Sequence, residues 1–288
     1  MSPAAERVAV IGAGTMGHGI AYVCARAGFD VTLTDASEPY LHKGMAGIRV
    51  WFEKGIARGK ATAEERDGAL ARIRAETNTA AAVRGATLVV EAIPERLELK
   101  RALFAEIEPL VADTTLLASN TSSLSIAKIA EGSRHPERVL GMHFFNPVPL
   151  MELLEIVRGT ATSDAVVQRA RAIAGAIGKT PIVVRDAPGF ATSRLGVVLG
   201  LEAIRMLEQG VASAEDIDRA MELGYNHPMG PLRLTDLVGL DVRLAIAEHL
   251  RATFGDATYE APALLRAMVK DGKLGKKSGR GFYTWEEK

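Results

Sequence analysis

Two ionisable side chains, His143 and Glu155, interrupt the apolar runs on either side of the turn-like NPVP in VLGMHFFNPVPLMELLEIV (139–157). A strand entering a core has no packing use for an imidazole or a carboxylate, since an unpaired buried charge is costly. Taken singly, each has a bland explanation: a core histidine satisfied by backbone, or a carboxylate capping a turn. Two of them in neighbouring predicted strands point to a pair. In strand geometry Leu153, Glu155 and Val157 share one face, so Glu155 points where two apolar residues point. His143 ends its strand just before Phe144-Phe145-Asn146-Pro147, at the carboxyl edge where doubly wound sheets bind ligands. An imidazole titrates near neutral pH, so such a pair can accept and return a proton.

A second group of residues predicts a nucleotide. GAGTMG (12–17) follows an apolar strand and opens a helix. In that setting Gly12 allows a tight turn, Gly14 lets a pyrophosphate approach the backbone, and Gly17 packs helix on strand, with Met16 in the same loop. The pyrophosphate would meet the helix N-terminus, where unsatisfied N–H groups and the dipole favour an anion. Asp35 ends the second strand at the spacing of a ribose-binding acid, and no Arg follows it directly in TDASEP, so NAD is expected rather than NADP.

These residues need a scaffold. RVAVIGAG, VTLTD (31–35), ATLVVEAI (86–93), TLLASN (115–120), VLGMHFF, MELLEIV and PIVVR (181–185) read as strands. Helices alternate with them: about Thr15–Ala27 closed by Gly28, a long stretch from Ser37, one opened by the capping box of Thr62 and Glu65, then Glu95–Val111 and Ser163–Gly178. The expected fold is α/β, an N-terminal Rossmann-type doubly wound sheet. From Phe190 to Lys270 the pattern gives only helices, at Arg194–Glu208, Ser213–Leu223, Val242–Phe254 and Pro262–Val269. The expected domains are therefore 1–186, binding NAD, and 187–288, an all-α domain for substrate and dimerisation.

Composition narrows the function. Lys+Arg and Asp+Glu balance at 35 each, so no global field attracts nucleic acid or a membrane surface. No apolar stretch reaches membrane-spanning length, and the N-terminus lacks a signal-peptide pattern. The single cysteine, Cys24, excludes an intrachain disulfide framework and fits the cytoplasm. His18, His42, His135, His143, His227 and His249 are scattered without ligand spacing, so no metal is expected.

GAGTMG, VVEAIPE, ASNTSSLSI, GMHFFNPVPLMELLEIV, DAPGF, MGPLRLTDLVGLD and GKKSGRGFY together resemble the L-3-hydroxyacyl-CoA dehydrogenase family, in order and over essentially the whole chain. The likeness is nearest to its bacterial short-chain 3-hydroxybutyryl-CoA members. The resemblance implies an acyl-CoA substrate, NAD, and a homodimer joined through the C-terminal domain. It makes His143 the base for the substrate hydroxyl and Glu155 the carboxylate that fixes its tautomer, while in reduction the imidazolium is the acid. Ser122 would hydrogen-bond the substrate oxygen and help to orient the nicotinamide. Asn120, Asn146, Glu95, Lys100 and, from the tail, Lys277 would lie along the cofactor. Lys54, Arg58 and Lys60, at the end of the long helix, would meet the phosphates of coenzyme A, although the family's pattern there is not matched residue for residue. Ser193 stands where the family usually has an Asn that contacts substrate.

Two other readings share this scaffold. One is a dehydrogenase of a free 3-hydroxy acid, such as a sugar acid. The other is a non-catalytic structural or NAD-sensing protein, which would have no need of Ser122, His143 and Glu155 together.

Overall fold

The computed structural model describes residues 6–285. The first five residues, on which the reading of the N-terminus rests in part, lie outside them. The chain divides into two compact units, Met1–Ala187 and Pro188–Lys288.

The first unit is built on one eight-stranded sheet, in the order β3-β2-β1-β4-β5-β6-β7-β8. Its strands are β1 (Arg7–Ile11), β2 (Asp30–Thr34), β3 (Ile73–Glu76), β4 (Leu88–Glu91), β5 (Leu116–Ser119), β6 (Val139–Phe144), β7 (Leu153–Arg158) and β8 (Thr180–Arg185). Every neighbouring pair is parallel except β6 and β7. The central strands are wholly or almost wholly buried, as a sheet covered on both faces requires. The doubly wound expectation is met.

Connecting helices follow local signals. Helix α1 (Thr15–Arg26) ends where Gly28 takes φ +90°, a left-handed conformation that glycine adopts at no steric cost. After α2 (Glu38–Ala57), α3 (Ala63–Ala71) opens on the expected capping box, with Thr62 and Glu65 each accepting from the other's backbone N–H. The short α4 (Thr79–Val83) precedes β4, and α5 (Leu97–Ile107) follows it. Helix α5 is shorter than the pattern suggested, because residues 108–110, with Pro109, tighten into a 3₁₀ turn. Helices α6 (Ile126–Ile129) and α7 (Asp164–Ala176) complete the unit. Strand β3 was not expected: of its four residues only Ile73 is buried, so an edge strand shows no apolar alternation.

The second unit contains α8 (Thr192–Glu208), α9 (Ala214–Gly224), α10 (Pro231–Val238), α11 (Leu240–Phe254) and α12 (Ala263–Lys270). Among its described residues there is no strand, only isolated bridges of Arg280 with Gly275 and Thr284. Helix α10 is also new. Pro231 reads as a breaker in sequence but occupies the first helical turn, where its missing N–H leaves nothing unsatisfied. Val197, Leu201, Ile204, Leu232, Leu240 and Leu250 lie in this unit's own core.

Candidate active site

The strand order reverses at β1, which lies between β2 and β4. The turns leaving β1, β4, β5 and β6 open at the carboxyl edge of this switch point, where such sheets take up ligands.

The turn after β1 carries Gly12, at φ +102°, where a Cβ would stand 2.6 Å from the carbonyl oxygen of Ala92. A Cβ on Gly17 would stand 1.7 Å from the Gly12 oxygen, so helix α1 could not reach this close to the strand with any other residue there. Gly14 is different, since a Cβ on it would meet nothing within 4 Å. It caps α1 without a side-chain hydrogen bond, leaving a cradle of open space at the helix N-terminus with Met16 in its first turn. Asp35 is fixed at the tip of β2, its Oδ2 accepting from Ala13 N at 2.9 Å and its Oδ1 from Ser37 N at 3.0 Å. Close packing at Gly12 and Gly17, open space at Gly14 and a carboxylate one strand away fit an adenine dinucleotide.

The imidazole and carboxylate are brought together by strand pairing. β6 and β7 run antiparallel with Gly141 opposite Val157, His143 opposite Glu155 and Phe144 opposite Leu154. Directly opposed residues share a face, so the reversal through residues 145–152 sets the two groups against each other. His143 Nδ1 lies 2.7 Å from Glu155 Oε2. A carboxylate only accepts, so Nδ1 carries the proton and Nε2 is the basic nitrogen of the neutral ring. Glu155 is fully buried and His143 is 7% exposed. The Phe145 ring leans on the imidazole at 4.4 Å between centroids.

Asn120, just beyond β5, accepts from Phe144 N at 2.9 Å and so ties the two strand ends together. Glu95 Oε1 gathers the next three residues, accepting from Thr121 Oγ1 at 2.5 Å, Ser122 N at 2.9 Å and Ser123 N at 3.2 Å. Burial alone would raise its carboxyl, but the Thr121 hydroxyl, the charge of Lys100 and the Ser122 N–H hold it below the ordinary value. Lys100, in the first turn of α5, is 1% exposed and donates to Glu91 Oε1 at 2.6 Å. Glu91 is a buried carboxylate on which sequence reasoning did not settle. Its only signal is a charge ending the apolar run LVVE.

Lys54 and Arg58 line a cavity of about 310 Å³ within the first unit. Arg26, Lys60 and Lys179 add three more cations, against one carboxylate, Glu152. Trp51 borders it with the Lys54 amine 5.4 Å from its ring centroid. The Lys179 ammonium is buried and donates to the carbonyls of Val148 and Met151 at 2.5 and 2.6 Å. Lys60 lies just beyond α2 beside Lys54 and Arg58, whereas Arg26 and Lys179 come from α1 and the turn before β8, too far off in sequence to be read with them. Asn146 is exposed in the turn after β6. In the second unit, Ser193 lies in the first turn of α8, and Lys277 pairs with Asp241 at 2.6 Å. Among the described residues no group of His, Cys, Asp and Glu could hold a metal ion. Cys24 is buried and its thiol is pushed up to about 12 by desolvation, so it is a packed side chain.

The model of the "3-hydroxyacyl-CoA dehydrogenase, NAD binding domain" family matches residues 7–187, and that of the "3-hydroxyacyl-CoA dehydrogenase, C-terminal domain" matches 189–285. The chain belongs to the 3-hydroxyacyl-CoA dehydrogenase family. A 3-hydroxybutyryl-CoA dehydrogenase of Mycobacterium tuberculosis H37Rv is 45% identical over 99% of this chain and 100% of its own length. That of Bradyrhizobium diazoefficiens is 42% identical over 99% and 97%. The crystal structure of the (S)-3-hydroxybutyryl-CoA dehydrogenase of Ralstonia eutropha superposes with a TM-score of 0.94 at 41% identity, over 99% of this chain and 100% of that one. The resemblance read from the motifs is thereby borne out, as is the assignment of NAD to a 3-hydroxyacyl-CoA dehydrogenase.

Proposed function

We propose that the protein oxidises a short-chain (S)-3-hydroxyacyl-CoA, 3-hydroxybutyryl-CoA first among them, to the 3-oxoacyl-CoA, and that the reaction runs in both directions. The observation that carries this reading is the 2.7 Å contact between His143 and Glu155 in a register set by β6 and β7. Nε2 of His143 takes the hydroxyl proton, and Glu155 keeps Nδ1 protonated and favours the imidazolium that forms. Bound NAD supplies the acceptor for the hydride leaving the carbinol carbon. Ser122 hydrogen-bonds the substrate oxygen, and in the reverse direction the imidazolium returns the proton.

Gly12, Gly14, Met16, Gly17 and Asp35 take the adenosine and pyrophosphate of the cofactor, with Glu95, Lys100, Asn120, Asn146 and Lys277 serving it further along. Lys54 and Arg58, in a cavity with three further cations, suit the phosphates of coenzyme A and favour a thioester over a free hydroxy acid. Ser193 belongs to the substrate side. The protein works as a cytoplasmic homodimer joined through residues 187–288. That unit carries Leu195, Leu223 and Tyr225 at 71%, 83% and 75% exposure, apolar surface of the kind that subunits cover. None of the described helices is long and apolar enough to cross a membrane.

The test compares turnover of 3-hydroxybutyryl-CoA with that of free 3-hydroxy acids, using both NAD and NADP. Turnover confined to thioesters with NAD supports the reading. Equal use of the free acid overturns the coenzyme A part, and no NADH oxidation with acetoacetyl-CoA overturns it altogether.

A further inference from the structure

Strand β4 ends on Glu91, which has no exposed surface although an apolar residue would close a central strand at less cost. Its Oε1 accepts from Lys100 Nζ at 2.6 Å and Ile93 N at 2.7 Å, and its Oε2 accepts from Ser119 Oγ at 2.6 Å. Lys100 stands on α5 and also lies 3.3 Å from Glu95 Oε2. The other Glu95 oxygen receives Thr121, Ser123 and both the N–H and the hydroxyl of Ser122, the hydroxyl at 3.3 Å. A chain of alternating charge, carboxylate to ammonium to carboxylate, therefore runs from inside the sheet to Ser122.

Stability does not account for such a chain. A buried ion pair can often be replaced by packed apolar residues at no loss, while removing one partner leaves a bare charge. Placement does account for it. Glu91 and Ser119 face each other at the ends of β4 and β5, and Lys100 and Glu95 lie on or beside the first turn of α5. Through Glu95 the chain ends at residues 121–123. The contact with the Ser122 hydroxyl is also longer than that with its N–H at 2.9 Å, so the backbone is fixed while the hydroxyl can still turn its proton towards a substrate oxygen.

We propose that Glu91 and Lys100 are positioning residues, a buried pair that fixes the Glu95 carboxylate and through it holds the Ser122 hydroxyl for the substrate oxygen. This rests on the reading of Ser122 as the group that meets that oxygen.

The experiment is a double-mutant cycle on the full chain, with NADH and acetoacetyl-CoA. Glu91→Gln/Lys100→Met removes both charges together, so neither is left bare. At saturating NADH it is expected to lower kcat about tenfold, with KM for the thioester unchanged within about twofold. Combined with Ser122→Ala it should cost nothing beyond Ser122→Ala alone. A wild-type kcat for the pair variant, a rise in KM in place of the fall in kcat, or losses that multiply with Ser122→Ala would each overturn the proposal. Should the pair variant not fold, Glu95→Gln, whose side chain is 36% exposed, enters the same cycle with the same criteria. Wild-type turnover in Ser122→Ala itself rejects the reading of Ser122 and leaves the pair nothing to position. An impaired Ser122→Ala with multiplying losses rejects the pair alone.

Discussion

Glu155 and Glu91 in the first domain and Asp236 and Asp218 in the second are buried carboxylates saturated by different partners. In the first, Glu155 meets an imidazole and Glu91 an ammonium, both side chains that titrate or carry charge. In the second, Asp236 accepts from Phe282 N, Tyr283 N and Trp285 Nε1, and Asp218 from Leu232 N, Arg233 N and the Tyr283 hydroxyl. Four of these six donors are backbone N–H groups and one is an indole N–H, none of which changes charge. Burial and Asp218 push the Tyr283 hydroxyl up, so that it keeps its proton. A carboxylate surrounded by them is a staple: Asp236 pins the tail onto α10, and Asp218 caps that helix's start. Gly281 shows how tight the staple is, because a Cβ there would stand 2.1 Å from Asp236 Oδ1. Glu91 and Glu155, paired with side-chain groups, instead sit at or beside strand ends on the carboxyl edge of the sheet. Burial is the same in both domains, so the partner's chemistry separates the two roles.

The comparison breaks most visibly at His143. His143→Gln should lower kcat by about 10²–10⁴-fold, the usual contribution of a positioned acid or base, while NADH binding stays near wild type. Glu155→Gln should cost less, on the order of tenfold or more, because the ring remains but its tautomer is no longer imposed. Near-normal turnover of His143→Gln would refute the assignment.

Asp236→Ala should show the opposite signature. It strips three donors of their acceptor, at about 1–3 kcal/mol for each one left buried and unpaired, so the melting temperature should fall while kcat per folded molecule holds. Thermal denaturation set beside active-site titration separates the two, and a kcat loss without a stability loss would contradict the staple.

Asp35→Ser lies between these cases, since Asp35 braces Ala13 N as well as being the group proposed for the ribose. NADH binding should weaken about tenfold, the scale of a hydrogen bond to a charged group, and the preference over NADPH should narrow. Fluorescence titration with both nucleotides measures it, and unchanged NADH affinity would exclude a ribose role.

Ser193→Ala should reduce kcat/KM for acetoacetyl-CoA only several-fold, matching one neutral hydrogen bond of about 1 kcal/mol, and Ser193→Asn should be tolerated. A kcat/KM equal to wild type in the alanine variant removes Ser193 from the site.

The smallest effect concerns pH. Glu95 is held below its ordinary value, so its stabilising contribution is complete above the unfolded carboxylate pKa of about 4.3 and is lost as pH falls through the lower, folded value. The turn at Ser122 should therefore stay intact near neutrality and loosen only in acid. A chemical-shift titration of Ser122 N–H that showed a transition near pH 6–7 would contradict this.

Much of the architecture was legible from local signals. The glycines of GAGTMG, the Thr62 and Glu65 capping box and the continuous apolar runs each report on a few neighbouring residues, and each formed as read. The elements that escaped, β3, α10 and the short α4 and α6, are those whose local signal is weak or misleading: an edge strand with one buried residue, a helix entered through a proline, and helices of one turn or little more. The same limit applied to the site. His143 and Glu155 stood out as charges within apolar runs. Glu91 did so only faintly, and nothing in LVVE announces that its partner is an ammonium on the following helix.

Residue type and spacing therefore determined which groups could handle a proton or cradle a phosphate, because φ freedom, helix capping and strand alternation are properties of the local chain. The tertiary structure decided which of those groups meet. The antiparallel turn of β7 against β6 sets His143 opposite Glu155, and a slip of one residue would have turned the carboxylate to the other face. The parallel register of β4 and β5 places Ser119 beside Glu91, and packing of α5 brings Lys100 down onto both. Charges in low dielectric are useful only when paired, and pairing across strands and helices is a matter of register and packing that no single segment encodes.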